Sequence, residues 1–327
     1  MTESGLTRLV ECVPNVSEGR RPEVVDEIVA AFAVPGVLVL DRSSDPDHHR
    51  TVITLMGLGP ALVEAAVAGA RACARLIDLN HHRGVHPRMG ALDVLPFIPF
   101  GAETRLRGGD DPDLDCAALA ERAGRRIAAE VGVPVYLYGA VARHPGWTAL
   151  PEVRGRGFEA LRAALAARAA DQDPPDPPGP DFGGPGLHPT AGATAAGARE
   201  VLIAYNVELA DADLALARKI ASAVRERDGG LPAVRAMGVP LEHRGVVQVS
   251  MNLLDWRATP PAAAYAAVAA LAEEHGARVE ASEIVGLAPA GALDGVDPAD
   301  LCLRDFSSDM LLESRLLQAL TTSEETR

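Results

Sequence analysis

Apolar positions in the first 140 residues alternate between short β-rich runs and stripes at three- and four-residue steps, the signature of strands and amphipathic helices in turn. Residues 9–13 read as a strand closed by Pro14 and Asn15. Ser17 is placed to cap a following turn, and Pro22 suits the first turn of a helix, where its missing N–H is not needed. That helix carries Val24, Val25, Ile28 and Val29 inward. After Gly36 come a strand at 37–40, a loop at 41–50 dense in Asp, Ser, Pro and His, and a returning strand at 51–56. Leu62, Ala66, Gly69, Cys73 and Ile77 form a helical stripe. A strand at 92–100 follows, then a helix through Leu119, Ala123 and Ile127, then a strand at 133–138.

Pro and Gly crowd residues 171–180, which read as a linker. Beyond it the pattern starts again. A strand at 201–209 leads to a helix with Leu216, Ile220 and Val224 on one face and Asp211 or Asp213 as its cap. Strands at 234–240 and 246–253 turn through residues 243–245, and a helix at 262–275 and a strand at 279–287 complete the set. A short helix and polar end occupy 308–327. The order β-α-β-β-α-β is that of a ferredoxin-like split βαβ unit, and the first half follows it with extra elements. The expected fold is therefore α/β (α+β), with two ferredoxin-like subdomains, 1–180 and 181–327, and a binding cleft between them.

Composition narrows the function. The chain has 327 residues, 48% of them hydrophobic but only 4% aromatic, so small side chains must supply much of the helix packing. A formal charge of -14 argues against a general nucleic-acid or anionic-membrane binder, since both need basic surfaces. No window approaches the ~18 apolar residues a membrane helix needs. The N-terminus shows no basic segment followed by an apolar stretch, so a cytoplasmic location is expected. Cys12, Cys73, Cys116 and Cys302 show no paired spacing.

Chemistry concentrates at residues 81–100. His81, His82 and His86 share this stretch with Arg83 and Arg88, and Gly84 and Pro87 prevent a continuous helix. An irregular basic segment between regular elements is a usual seat for function. The spacing leaves several readings open. The imidazoles can be solvated surface groups, zinc ligands together with Asp47, His48 and His49, or a general acid–base beside Arg50, Arg83 and Arg88 as carboxylate grips. No glycine-rich run ends in Lys-Ser or Lys-Thr, and no G-x-S-x-G elbow is present. Gly183, Gly184, Gly186 and Gly192 allow the backbone to approach a ligand closely.

Glu11-Cys-Val-Pro-Asn-Val-Ser-Glu-Gly19, Arg50-Thr-Val52 and His86-Pro-Arg-Met-Gly-Ala-Leu-Asp-Val94 with its Pro-Phe-Ile-Pro continuation resemble the glutamate formimidoyltransferase family. Val135-Tyr-Leu-Tyr-Gly139, Pro180-Asp-Phe-Gly183, Gly192-Ala-Thr-Ala-Ala-Gly-Ala-Arg199 and Gln248-Val-Ser-Met-Asn-Leu-Leu-Asp255 extend the likeness, in order, over residues 9–293. The resemblance implies transfer of the formimino group of N-formimino-glutamate to N5 of tetrahydrofolate, within histidine degradation; the alternatives are a formyltransferase using N-formyl-glutamate and folate, and a metal-dependent amidohydrolase of formiminoglutamate. It implies a substrate tunnel flanked by the two subdomains, a homodimer, tetrahydrofolate as co-substrate and no metal. Position by position, it gives His86 as the catalytic histidine and Arg50, Asp41 and Arg88 as substrate-binding. The folate-contacting segment becomes Gly183, Gly184, Pro185, Gly186, Leu187, His188, Pro189, Thr190, Ala191 and Gly192. This chain departs from the animal pattern at Ser43, where those members carry a second aspartate, and at His188 and Ala191, which replace bulkier types.

Overall fold

The computed structural model describes residues 6–155, 157–169 and 179–325. Most of the Pro-rich stretch at 171–180, and the last two residues of the tail, lie outside the described residues. The chain divides into two compact units, Met1–Arg199 and Glu200–Arg327. The division falls 19 residues later than the 180/181 cut that composition suggests because the segment after the linker is stitched into the first sheet. Val135 donates its N–H to Phe182, Asp181 donates back to Val135, and residues 194–198 form a strand of that sheet.

In the first unit, β1 (Val10–Cys12) and β2 (Asn15–Val16) act as one interrupted strand between β4 (Arg50–Gly57) and β5 (Leu92–Pro99), antiparallel to both. The interruption falls at Pro14, which has no N–H for the ladder. β3 (Val37–Asp45) pairs only with β4, and β7 (Thr194–Ala198) and β6 (Val135–Gly139) extend the sheet in parallel beyond β5. The strands run β3, β4, β1/β2, β5, β7, β6 across the sheet. With α1 (Pro22–Phe32) and α2 (Gly59–Leu76), the elements up to β5 follow the order β-α-β-β-α-β.

The polar run at 41–50 is not a loop: β3 continues to Asp45, and only residues 46–49 turn. Its exposure alternates along an edge strand, where polar side chains can face water. Ser17 does not cap a turn; its hydroxyl donates to the Gly90 carbonyl. Glu18 does that work instead, with Oε1 accepting the N–H groups of Gly19, Arg20 and Arg21 just before α1. Val25, Ile28 and Phe32 bury one stripe of α1, while Val24 and Val29 only border the core. α3 (Cys116–Val131) is capped by Asp115, whose Oδ1 accepts from Ala118, and ends at left-handed Gly132. α4 (Leu150–Arg154) and α5 (Phe158–Ala169) complete the unit.

The second unit has β8 (Ile203–Ala210), α6 (Leu214–Val224), β9 (Val234–Leu241), β10 (Val246–Leu253), α7 (Pro261–Glu274) and β11 (Arg278–Val285). Its antiparallel sheet runs β9, β10, β8, β11, and α8 (Leu312–Glu325) follows. Asp213, not Asp211, caps α6 by accepting from Leu216. Alternation along β8 and β10 sends Tyr205, Val207, Val249 and Met251 into a core shared with Ile220 and Val268.

α1 and α2 meet through Gly69: a Cβ there would lie 2.2 Å from the ring of Phe32, itself fully buried. Gly69→Ala gains ~1 kcal/mol of helix propensity but forces a ring with no room to move, so a net loss of ~1–3 kcal/mol is expected in urea denaturation. A variant as stable as the parent would contradict this packing.

Candidate active site

The histidine segment between α2 and β5 is tied down by the turn that joins β3 to β4. Val85 donates to the Asp47 carbonyl, His82 Nε2–H donates to the His49 carbonyl at 2.9 Å, and Gly84 lies where a Cβ would be 2.5 Å from the His48 carbonyl. These contacts bring four imidazoles together. The rings of His49 and His82 stack at 4.2 Å, and those of His48 and His86 sit 6.0 Å apart.

His86 has its Nδ1 2.8 Å from the Pro87 carbonyl. A carbonyl can only accept, so Nδ1 carries the proton and Nε2 keeps a lone pair in the neutral ring. Burial, then the positive charges of Arg50 and Arg154, hold its pKa well below the usual 6.5. The ring is thus a neutral base at pH 7, with Nε2 as the accepting atom.

Beside it lies a buried charge cluster. Asp93, fully enclosed in β5, accepts from Arg50 Nη1 at 2.8 Å and Arg154 Nη2 at 2.6 Å on one oxygen. The other oxygen accepts from the N–H groups of Met89 and Gly90. Burial works to raise the Asp93 pKa, but the Arg154 and Arg50 charges and the Met89 N–H outweigh it and hold it below the ordinary carboxylate range. Arg50 also gives its Nε–H and an Nη2–H to Asn15 Oδ1, which leaves one N–H on each Nη for other use. Burial, then the neighbouring Arg154, brings its pKa down to about 10. One carboxylate between two guanidiniums leaves a net positive site beside a neutral imidazole.

The remaining expected residues are placed differently. Arg88 is engaged within the protein: Nε–H donates to His82 Nδ1 at 2.9 Å, and Nη1 and Nη2 grip Glu159 at 2.9 and 2.7 Å. Those bonds hold the Glu159 carboxyl at about 2. Arg88 therefore braces His82, both of whose ring nitrogens are committed. His49 is held near 4, chiefly by burial and then by His82, and its Nδ1 accepts the Gly19 N–H. Asp41 pairs with Thr54 across the sheet, while Arg50 pairs with Asp45. It thus lies four residues, or ~13 Å, along the strand from the Arg50 end. Among the described residues no three His, Cys, Asp or Glu side chains are grouped as a metal site.

In the 183–192 segment, Gly192 (φ +69°) answers to packing: a Cβ would meet the Met89 carbonyl at 2.1 Å. His188 and Gly192 exchange backbone hydrogen bonds, and His188 Nδ1 accepts from Ala191 at 3.0 Å. Ala191 is buried and accepts from the Ala91 N–H. Gly184 and Gly186 are exposed with open space about them. The segment runs directly against residues 89–91, one turn of chain from His86.

Asp93 lies within the His86–Val94 motif, and an acid in the otherwise apolar run 91–100 is a signal in itself. Arg154 has no such signal; it is 61 residues from its partner. For Asp93 the sign of the pH effect is definite. Its depressed folded pKa contributes stability fully present above ~3.9 and lost as pH falls through the folded value. Asp93→Asn is expected to cost ~3–5 kcal/mol at pH 7, with the gap from the parent closing below pH ~4 in urea titrations. A gap that stays constant across that range would contradict the assignment.

Sequence comparisons place the chain in a family. Residues 9–199 match the formiminotransferase domain, N-terminal subdomain, and residues 204–317 match the formiminotransferase domain. A glutamate formimidoyltransferase of Thermoplasma acidophilum is 41% identical, covering 95% of this chain and 98% of its own. One from Streptococcus pyogenes serotype M1 is 38% identical, covering 95% and 100%. The formimidoyltransferase-cyclodeaminase of Sus scrofa is 41% identical over 88% of this chain but only 51% of its own length. On both matched domains and these relatives, the chain belongs to the formiminotransferase family.

Proposed function

We propose that this enzyme transfers the formimino group of N-formimino-L-glutamate to N5 of tetrahydrofolate, releasing L-glutamate and 5-formiminotetrahydrofolate, as a step of histidine degradation. The observation that carries the reading is His86: a neutral imidazole with Nε2 free, beside a buried net positive charge suited to a carboxylate. Relatives named glutamate formimidoyltransferase, matched over nearly their whole length, support the donor and acceptor.

The chemistry needs one proton moved twice. N5 of the folate attacks the formimino carbon and becomes positively charged, and His86 Nε2 takes its proton. The tetrahedral intermediate then collapses, the bond to the glutamate nitrogen breaks, and His86 returns the proton to the leaving amine. The overall exchange leaves N5–CH=NH and a free glutamate amine, with no proton gained or lost. Such acid–base help is worth ~10²–10⁴ in rate, and holding both reactants together supplies the proximity term. Arg50, with N–H groups left over from Asn15 and Asp93, binds a donor carboxylate. The exposed 183–186 stretch, which leads to the part of the chain bonded to residues 89–91, receives the folate. In each unit a split βαβ arrangement of the ferredoxin-like kind is supported by the shared strand order.

Three measurements test this reading. His86→Ala is expected to lower kcat by ~10²–10⁴ with folate binding kept, and near-parental turnover would remove His86 from the mechanism. Because burial and the two arginines hold the ring well below 6.5, the acid limb of kcat/KM should lie below pH ~6.5, with a plateau that lasts until Arg50 loses its proton at about 10; an acid limb centred above pH 7 would contradict it. The same assay run with N-formyl-glutamate in place of the formimino donor should give much slower turnover.

A further inference from the structure

Arg154 ends α4, and the chain beyond it is fastened to the His86 motif: Phe158 donates its N–H to the Arg88 carbonyl, and Gly157 donates to Arg154. The Arg154 side chain reaches Asp93 and shares its Oδ2 with Arg50, with 9% of the residue exposed. Nη2 is used by Asp93. Nε is enclosed and has no acceptor among the described residues. A buried N–H left without a partner is costly and uncommon in a finished structure, so the group calls for an acceptor from a ligand. The local charge says which kind: two guanidiniums share a single carboxylate, and one more negative group balances them.

We propose that Arg154 is the specificity-determining anchor for the α-carboxylate of the donor, receiving it on Nε–H and the unused Nη protons. The inference rests on the transferase reading. Of the donor's two carboxylates, the α group sits on the carbon that bears the nitrogen being released. His86 must reach that nitrogen, and the charges of Arg50 and Arg154 both act on the His86 ring. The carboxylate beside the reacting nitrogen is therefore the one within reach. Seating it also changes the base. An anion between the arginines and the imidazole offsets the charge that opposes protonation, so His86 binds a proton more readily once the donor is in place.

The test uses the full chain, with isothermal titration of L-glutamate and of 4-aminobutyrate, which lacks the α-carboxylate. The parent should bind glutamate about tenfold or more tighter than 4-aminobutyrate, as loss of a charged hydrogen-bond pair predicts. In Arg154→Gln, shown folded by circular dichroism, that preference should vanish through weaker glutamate binding, and KM for the formimino donor should rise by a similar factor. Arg154→Lys keeps the charge without the Nε–H and should fall between. In the parent the acid limb of kcat should lie at higher pH than that of kcat/KM, and the two should converge in Arg154→Gln. A folded variant that keeps the parental preference would overturn the assignment, as would equal binding of the two amino acids by the parent, a result that needs no variant. A parent that turns over no donor defeats the transferase reading instead, and the glutamate titrations still decide for or against Arg154.

Discussion

Asp93 takes four hydrogen bonds at a position closed to solvent, two from backbone N–H groups at residues 89 and 90 and two from arginines. Moving a carboxylate out of water costs several kcal/mol, and only this degree of pairing offsets it. The consequence is structural as much as electrostatic. The first residue of β4 and the last of α4 meet at this second residue of β5, and Asn15 at the start of β2 joins them through Arg50. The segment that carries His86 is thereby fixed at its C-terminal end by Asp93 and at its middle by the β3–β4 turn.

A second buried polar chain runs alongside and serves orientation. Glu18 gathers the N–H groups that open α1, His49 packs on His82, and Arg88 links His82 to Glu159. The tautomer of His82 is set, because the Arg88 guanidinium N–H can only donate to Nδ1 and the His49 carbonyl can only accept from Nε2. The histidine cluster therefore divides by role. His82 and His49 are held neutral and occupied, while His86 has one nitrogen fixed and the other free. His82 and His49 thus hold the segment in place beside the open nitrogen of His86.

Much of this was legible in the chain. Periodicity carried the β-α-β-β-α-β order cleanly in the second half and with extra elements in the first, and the alternation in β8 and β10 leaves little choice of face. Two elements were hidden for physical reasons. β3 runs through Asp41–Asp45 because an edge strand accepts polar side chains that a central strand would not, so its composition resembled a loop. β7 is built from Thr, Ala and Gly, residues with weak strand preference, and gains its place by close parallel packing between β5 and β6. In the site, His86 and Arg50 came from motifs, whereas Arg154 sits in a short helix whose role depends on a partner far away in sequence. Arg88, attractive as a free cation in the sequence, is consumed by Glu159, an ion pair that no local pattern announces.

The central claim is a protonation state: at neutral pH His86 is uncharged, with the proton on Nδ1 and the lone pair on Nε2. Long-range proton–nitrogen correlation spectra of histidine-labelled protein, assigned by comparison with His86→Ala, read that state directly. The account predicts an Nδ1–H tautomer at pH 7 that becomes imidazolium only well below pH 6.5. A ring already charged at pH 7, or one carrying its proton on Nε2, would contradict it.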